Sequence, residues 1–354
     1  MSPSSSPPAG PTGMPTRPTR LAAALTVLAA ALGTGCSSTI VDSTPATIPS
    51  ATAAVSPPEA LPPAGRVVPL AGRPTAVHHD AATSSLAVLT PGPNATLTIL
   101  DPGRSSQVPA RTVALPATVT AITGDGTGTV WAAVRGGVIA VDLASAAVTP
   151  LSVAGEADTE FTAVARRADG RLVLGSAAGV FYLLDTDLTV SRRTAIFARV
   201  DAIVTLGDIS VVLDRGQTSV TALDADGDAR QALRAGLGAT SIAADDAERV
   251  LVTDTRGGQL LVFTVDPLIE RQAYPVPDSP YGVVGSRSLV WVSQTASNSV
   301  VGYDLSTGIP VEKVRYPTVQ QPDALAYDET SDTLYVVSGT GAGVQVIPKA
   351  DGRR

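Results

Sequence analysis

Two imidazoles, His78 and His79, and one thiol, Cys36, are the chain's entire stock of histidine and cysteine. A serine–histidine–acid relay needs an imidazole beside its nucleophile, and a thiolate metal site needs several soft ligands, so both chemistries are disfavoured at the outset. The histidines are adjacent in "TAVHHDAATSS". Neighbours on a strand point to opposite faces, a poor geometry for one shared metal, and the pair reads as a solvent-facing turn.

The acids offer one further cluster, "DADGD" (Asp224–Asp228). Its alternation is like that of a calcium loop, but Gly227 stands at the fourth position instead of the sixth, and the twelfth is Ala235, not Glu. It reads as a solvated turn, and no metal is expected. The stretches "RGG" (135–137), "RGGQ" (256–259) and "GTGAG" (339–343) lack the helix and Lys-Ser/Thr of a phosphate loop and read as hairpin turns. Trp131 and Trp291, the only tryptophans, read as packing residues, and their scarcity speaks against a quinone-cofactor dehydrogenase; no cofactor is expected.

Elements that would position such residues begin after the N-terminal region. Arg17 and Arg20 precede the apolar run "LAAALTVLAAAL" (21–32), and small residues follow it. That is the layout of a secretory signal, residues 1–35, too short to stay as a membrane helix. Met14 offers a start that would give a signal of ordinary length. Cys36 follows in "LGTGCSS", where it resembles the lipobox cysteine of bacterial lipoproteins, with Gly33 at the place where that family favours leucine and Leu32 one position further away. The resemblance implies cleavage before Cys36 and a diacylglycerol on its sulfur, an anchor worth about 0.8 kcal/mol per buried CH₂. It places the protein on the extracytoplasmic face of the cell membrane. Residues 36–63, rich in Ser, Thr, Ala and Pro without apolar period, predict a disordered tether ahead of a domain over 64–352. Without residues 1–35 the chain has 23 basic and 32 acidic residues, a charge of −9. An acidic domain with no basic cluster is a poor partner for nucleic acid. The use of 23 arginines against two lysines, Lys313 and Lys349, fits high-GC bacterial coding.

The domain repeats. "TVWAAVRGGVIAVDLAS" (129–145) is a strand, a two-glycine turn and a second strand ending on aspartate, and it is one cell of a series. A polar–small–apolar triplet begins at Thr75, Thr120, Thr162, Asp201, Thr240, Tyr281 and Asp323, in steps of 39 to 45 residues. An aspartate closing the third strand of the first six units (Asp101, Asp142, Asp185, Asp224, Asp266, Asp304) keeps the same period, with Pro348 near the equivalent place in the seventh. Two independent anchors on one period of about 40, with short branched strands between them, predict an all-β, seven-bladed β-propeller. The small middle residues, Ala76, Ala121, Ala163, Ala202, Ser241, Gly282 and Ala324, would sit on the innermost strands, where bulk would collide near the axis. The last unit lacks an outer strand, whereas "GRVVPLAG" (65–72) has that character. The N-terminal strand is therefore expected to close the ring by pairing with the last blade.

The stretch 290–338, "VWVSQTASNSVVGYDLSTGIPVEKVRYPTVQQPDALAYDETSDTLYVVS", resembles the YVTN repeat of bacterial β-propellers: an aromatic–valine strand, an Asn turn, an Asp-x-x-Thr-Gly ending and Pro-Asp before the next inner strand. The resemblance implies the WD40-like fold over the whole domain and leaves function open, because propellers carry lyases, lactonases and pure binding platforms. Propeller lyases with a catalytic histidine at the channel mouth find no histidine here at that place.

In such a fold, the loops entering the innermost strands and those joining second to third strands share the face around the channel mouth. That rim collects Arg73, Arg135, Glu160, Arg199, Asp201, Asp214, Arg215, Asp254, Arg256, Asp278, Tyr281, Gln294, Asn298, Gln320, Gln321 and Asp323. Mixed acids, arginines and amides around a concavity suit a polar ligand or an envelope protein. The expectation is a lipid-anchored binding or scaffold module. The alternative is a metal-dependent hydrolase or lyase using Glu160, Asp201, Asp214 and Asp254.

Overall fold

The structure is a computed structural model and describes residues 45–102 and 110–352. Cys36 and the apolar run before it lie outside the described residues. Short, branched segments such as Leu172–Ser176 and Thr333–Ser338 form buried strands, and Gly or Asp turns reverse the chain between them. The result is seven four-stranded antiparallel sheets. The innermost strands touch in cyclic order, that of blade seven (Pro322–Asp328) returning to that of blade one (Ala76–Asp80). Six sheets use consecutive strands; in the seventh, Arg66–Val68 pairs with Val344–Ile347, with Val67 opposite Gln345. The N-terminal strand thus closes the ring as expected and covers the edge that the last blade would expose.

Each apolar core layer lies between two blades, and the small position belongs to these layers. Ala76 packs in one cluster with Ile122 of the next blade, Ala121 with Val164, Ala163 with Ile203, Ala202 with Ile242, and Ala324 with Val77. A Cβ on Gly282 would lie 3.3 Å from Leu325 Cγ. The small side chain makes room for the branched one of the following blade. Trp291 is a packing residue as read, stacked between Tyr316 and Tyr327 with ring centroids 6.2 and 6.1 Å away.

Two expectations are corrected. The histidines do not face solvent in a turn; they lie within Ala76–Asp80, their rings on opposite sides of the strand. His78 points at blade two against Gly124, while His79 stacks on Tyr335 of blade seven, with Nε2 3.7 Å from Asp328. Burial pushes both imidazoles below their usual pKa. Residues 45–63 are not a free tether. They have no regular secondary structure, but they lie across the rim and hydrogen-bond to it, because prolines hold the segment extended and its carbonyls find donors there.

Candidate functional site

In blades four and five, the turn between second and third strands is tied to the loop entering the innermost strand. Asp214 and Asp254, the last residues of two second strands, make these ties with buried carboxylates. Asp214 accepts from the N–H groups of Ala198, Arg199 and Gln217 at 2.7, 3.2 and 2.9 Å. Asp254 accepts from Leu237, Gly238 and Gly257, each at 2.8 Å. A Cβ on Gly257 would stand 2.0 Å from that carboxylate, so close approach is the reason for the first glycine of "RGGQ". These acids hold the loops, and their oxygens are already engaged.

The "DADGD" turn is similar. Asp224 accepts from the N–H groups of Asp226 and Asp228 at 3.0 and 2.9 Å and pairs with Arg230, and Asp228 pairs with Arg192. Among the described residues no group of three or more His, Cys, Asp or Glu side chains is placed to share one metal ion.

A different set gathers at the channel mouth. Asp201 accepts the Arg215 N–H at 2.7 Å and pairs with Arg199 at 3.1 Å. Burial nevertheless holds its carboxyl above the usual aspartate pKa, against the pull of that N–H and of the two guanidinium groups. Asp323 is also pushed up by burial, opposed by the Gln321 amide at 3.0 Å. Tyr281 is near both Arg215 and Asp323; burial raises its hydroxyl pKa, the Arg215 charge opposes the shift and the Asp323 charge adds to it. Arg215 keeps a buried Nε without a hydrogen-bond partner among the described residues. Opposed charges around half-buried groups give this mouth the capacity to bind polar groups.

Residues 47–59 cross that mouth from blade four to blade seven. Ile48 N–H donates to the Gly216 carbonyl at 2.8 Å. Arg256 then donates to the Pro49 carbonyl at 2.7 Å, Arg215 to Ala51 at 2.6 Å, Gln321 to Ala54 at 3.2 Å, and Asn298 and Gln320 to Pro57 at 2.7 and 3.0 Å. Because Pro57 offers only an acceptor, the Asn298 amide is fixed with Nδ2 toward it, leaving a buried Oδ1 unpartnered among the described residues. Where the segment leaves the rim, Ala60 and Leu61 border a cleft of about 380 Å³ with Asp278, Asn298, Arg315 and Thr318.

No protein-family model matches the chain, and no curated protein does. The fold is that of known propellers. The virginiamycin B lyase of Staphylococcus aureus superposes with a TM-score of 0.64 at 12% identity, over 79% of this chain and 97% of that one. The RRP9 WD40 repeats give 0.67 at 13% identity, over 81% and 98%. The hydrazine synthase of Kuenenia stuttgartiensis gives 0.64 at 14%, over 80% and 98%. At such identities the likeness shows the fold alone.

The structure sorts the rim residues read from the sequence. Asp201, Arg215, Tyr281, Gln321 and Asp323 come together at the mouth, and Arg256, Asn298 and Gln320 line the path of residues 47–59. Asp214 and Asp254 are loop ties. Glu160 and Arg73 have exposed side chains with no polar partner among the described residues, while Arg135 donates to the Asp158 carbonyl at 2.7 Å. Gln294 is wholly buried and accepts from Ser299 and Arg315. Sequence reasoning missed Ser279 and Thr295, whose oxygens receive Ala54 N–H at 3.0 Å and the Ser56 hydroxyl at 2.6 Å. It also missed the crossing segment, whose contacts are mostly backbone ones that composition does not disclose.

Proposed function

We propose that the protein is a lipid-anchored, extracytoplasmic β-propeller of the YVTN type, tethered through Cys36, whose rim binds an envelope partner. The observation that carries the binding role is that rim side chains already hold an extended polypeptide, by five donors to backbone carbonyls. Arginine and amide groups fixed on a rigid scaffold suit peptide recognition. The tether rests on the apolar run and the lone cysteine after it. For the alternative, a metal-dependent hydrolase or lyase, Asp214 and Asp254 would have to give up their backbone partners. The staphylococcal lyase has a catalytically inactive form in which one histidine is replaced by alanine; both histidines of this chain are packed between blades.

The test is labelling and crosslinking of the full chain in a bacterial host. Palmitate label and membrane fractionation are expected for the native chain and lost in Cys36→Ala. A photo-crosslinking residue at Glu160 on the rim traps a partner, whereas one at Glu270 on an outer strand does not. Label that survives Cys36→Ala overturns the tether, and equal crosslinking at both positions overturns the rim.

A further inference from the structure

We infer that the groove across blades four to seven is a recognition site for an extended, proline-containing peptide with a small residue and a serine five positions apart, and that residues 47–59 are its occupant in cis. The inference rests on the rim-binding reading and names the ligand class. It follows from how the segment is held. The donors of Arg256, Arg215, Gln321 and Asn298 meet the carbonyls of Pro49, Ala51, Ala54 and Pro57, groups that every peptide has, so they fix a path and not a sequence. Prolines at 49, 57 and 58 lack an N–H, which reduces the donors an extended chain must satisfy.

Two side chains are read. Ala51 is buried beside Gly238, where an added Cβ would stand 2.8 Å from both the Ala51 and Arg256 Cβ atoms, so only a small residue fits. Ser56 is also buried; its hydroxyl donates to the Thr295 carbonyl at 2.6 Å and accepts Gln321 N–H at 3.0 Å, while its own N–H donates to Gln321 Oε1 at 3.1 Å. No charged residue falls within 45–58, so the contact is hydrogen bonding and fit, with little dependence on salt. The segment runs directly into the closing strand Arg66–Val68, which keeps it at high effective concentration. A peptide arriving in trans must displace it.

The probe is a fluorescein-labelled peptide of residues 45–60, measured by anisotropy against the full chain carrying Ala51→Asp, which expels the resident segment. The peptide is expected to bind this variant at least tenfold tighter than the native chain. Placing Ala51→Asp or Ser56→Ala in the peptide weakens binding at least tenfold, and adding Arg215→Ala and Gln321→Ala to the protein abolishes it. Protease cleavage within 47–59 reports release of the segment. Release without peptide binding, or equal binding of the altered peptides, overturns the inference. A segment still protected in Ala51→Asp/Ser56→Asp overturns it as well, because those two positions would then not be what the groove reads. Peptide failure with rim-specific crosslinking from Glu160 retained defeats this inference alone; loss of that crosslinking defeats the binding reading beneath it.

Discussion

The imidazole of His78 occupies the space where a side chain on Gly124 would begin: a Cβ there would stand 1.9 Å from Nε2. Gly124 ends the innermost strand of blade two, Ala121–Gly124, so one residue of each blade fixes the spacing between them at the centre of the ring. The backbone of Gly124 is not among the positive-φ positions, so the glycine is required by space and not by conformation.

Gly124→Ala should therefore destabilise the domain by about 1–3 kcal/mol, the usual cost of overpacking. Urea unfolding would show a lower midpoint with an unchanged slope. Adding His78→Ala should recover part of the loss, with a coupling of roughly 0.5 kcal/mol or more in the double-mutant cycle. Strict additivity would mean that the two residues do not set the spacing together.

The acids of the rim divide by what their oxygens hold, and their substitutions should move stability in opposite directions. Asp254→Ala strands three backbone N–H groups and should cost on the order of 3 kcal/mol. Asp323 behaves in the other sense. Burial raises its pKa from 3.8, so ionisation opposes folding; that penalty is absent below about pH 3.8 and full once the pH exceeds the raised value. Asp323→Asn keeps an acceptor for Gln321 and should raise the melting temperature at pH 7 by on the order of 1 °C. The gain should vanish near pH 3.5. A lower melting temperature for Asp323→Asn at pH 7 would show that its charge serves the fold.

The blades were legible because each one repeats a local rule: a polar, a small and a branched residue, then turns of Gly or Asp, about every 40 residues. Closure was legible because Arg66–Val68 has outer-strand character and the last blade lacks an outer strand of its own. The roles of the rim acids were not. Asp214 and Asp201 are both aspartates near the mouth, yet one ends a buried second strand and the other precedes an inner strand, and only the partners of their oxygens distinguish a tie from a mouth residue. Residues 47–59 were illegible for another reason. A Ser/Thr/Ala/Pro composition says that a segment has no core of its own, and it says nothing about a groove elsewhere that supplies donors for its carbonyls.

The two histidines give the domain a pH dependence with a definite sign. Burial is the largest influence on both and lowers their pKa from 6.5; Asp80 and Asp125 near His78, and Asp328 and Asp80 near His79, pull upward without reversing it. The unfolded chain then binds more protons than the folded one in the window below 6.5, so stability rises with pH there. The contribution is complete above about pH 6.5 and is lost as the pH falls below it, by at most about 1.4 kcal/mol per pH unit for each histidine. Urea midpoints at pH 7.5, 6.5 and 5.5 should fall in that order. His79→Phe keeps a ring against Tyr335 and removes the titration, so it should flatten the decline, and His78→Leu in the same chain should flatten it further. A midpoint that is constant or climbs toward pH 5.5 would place the origin of the pH response outside the two inter-blade imidazoles.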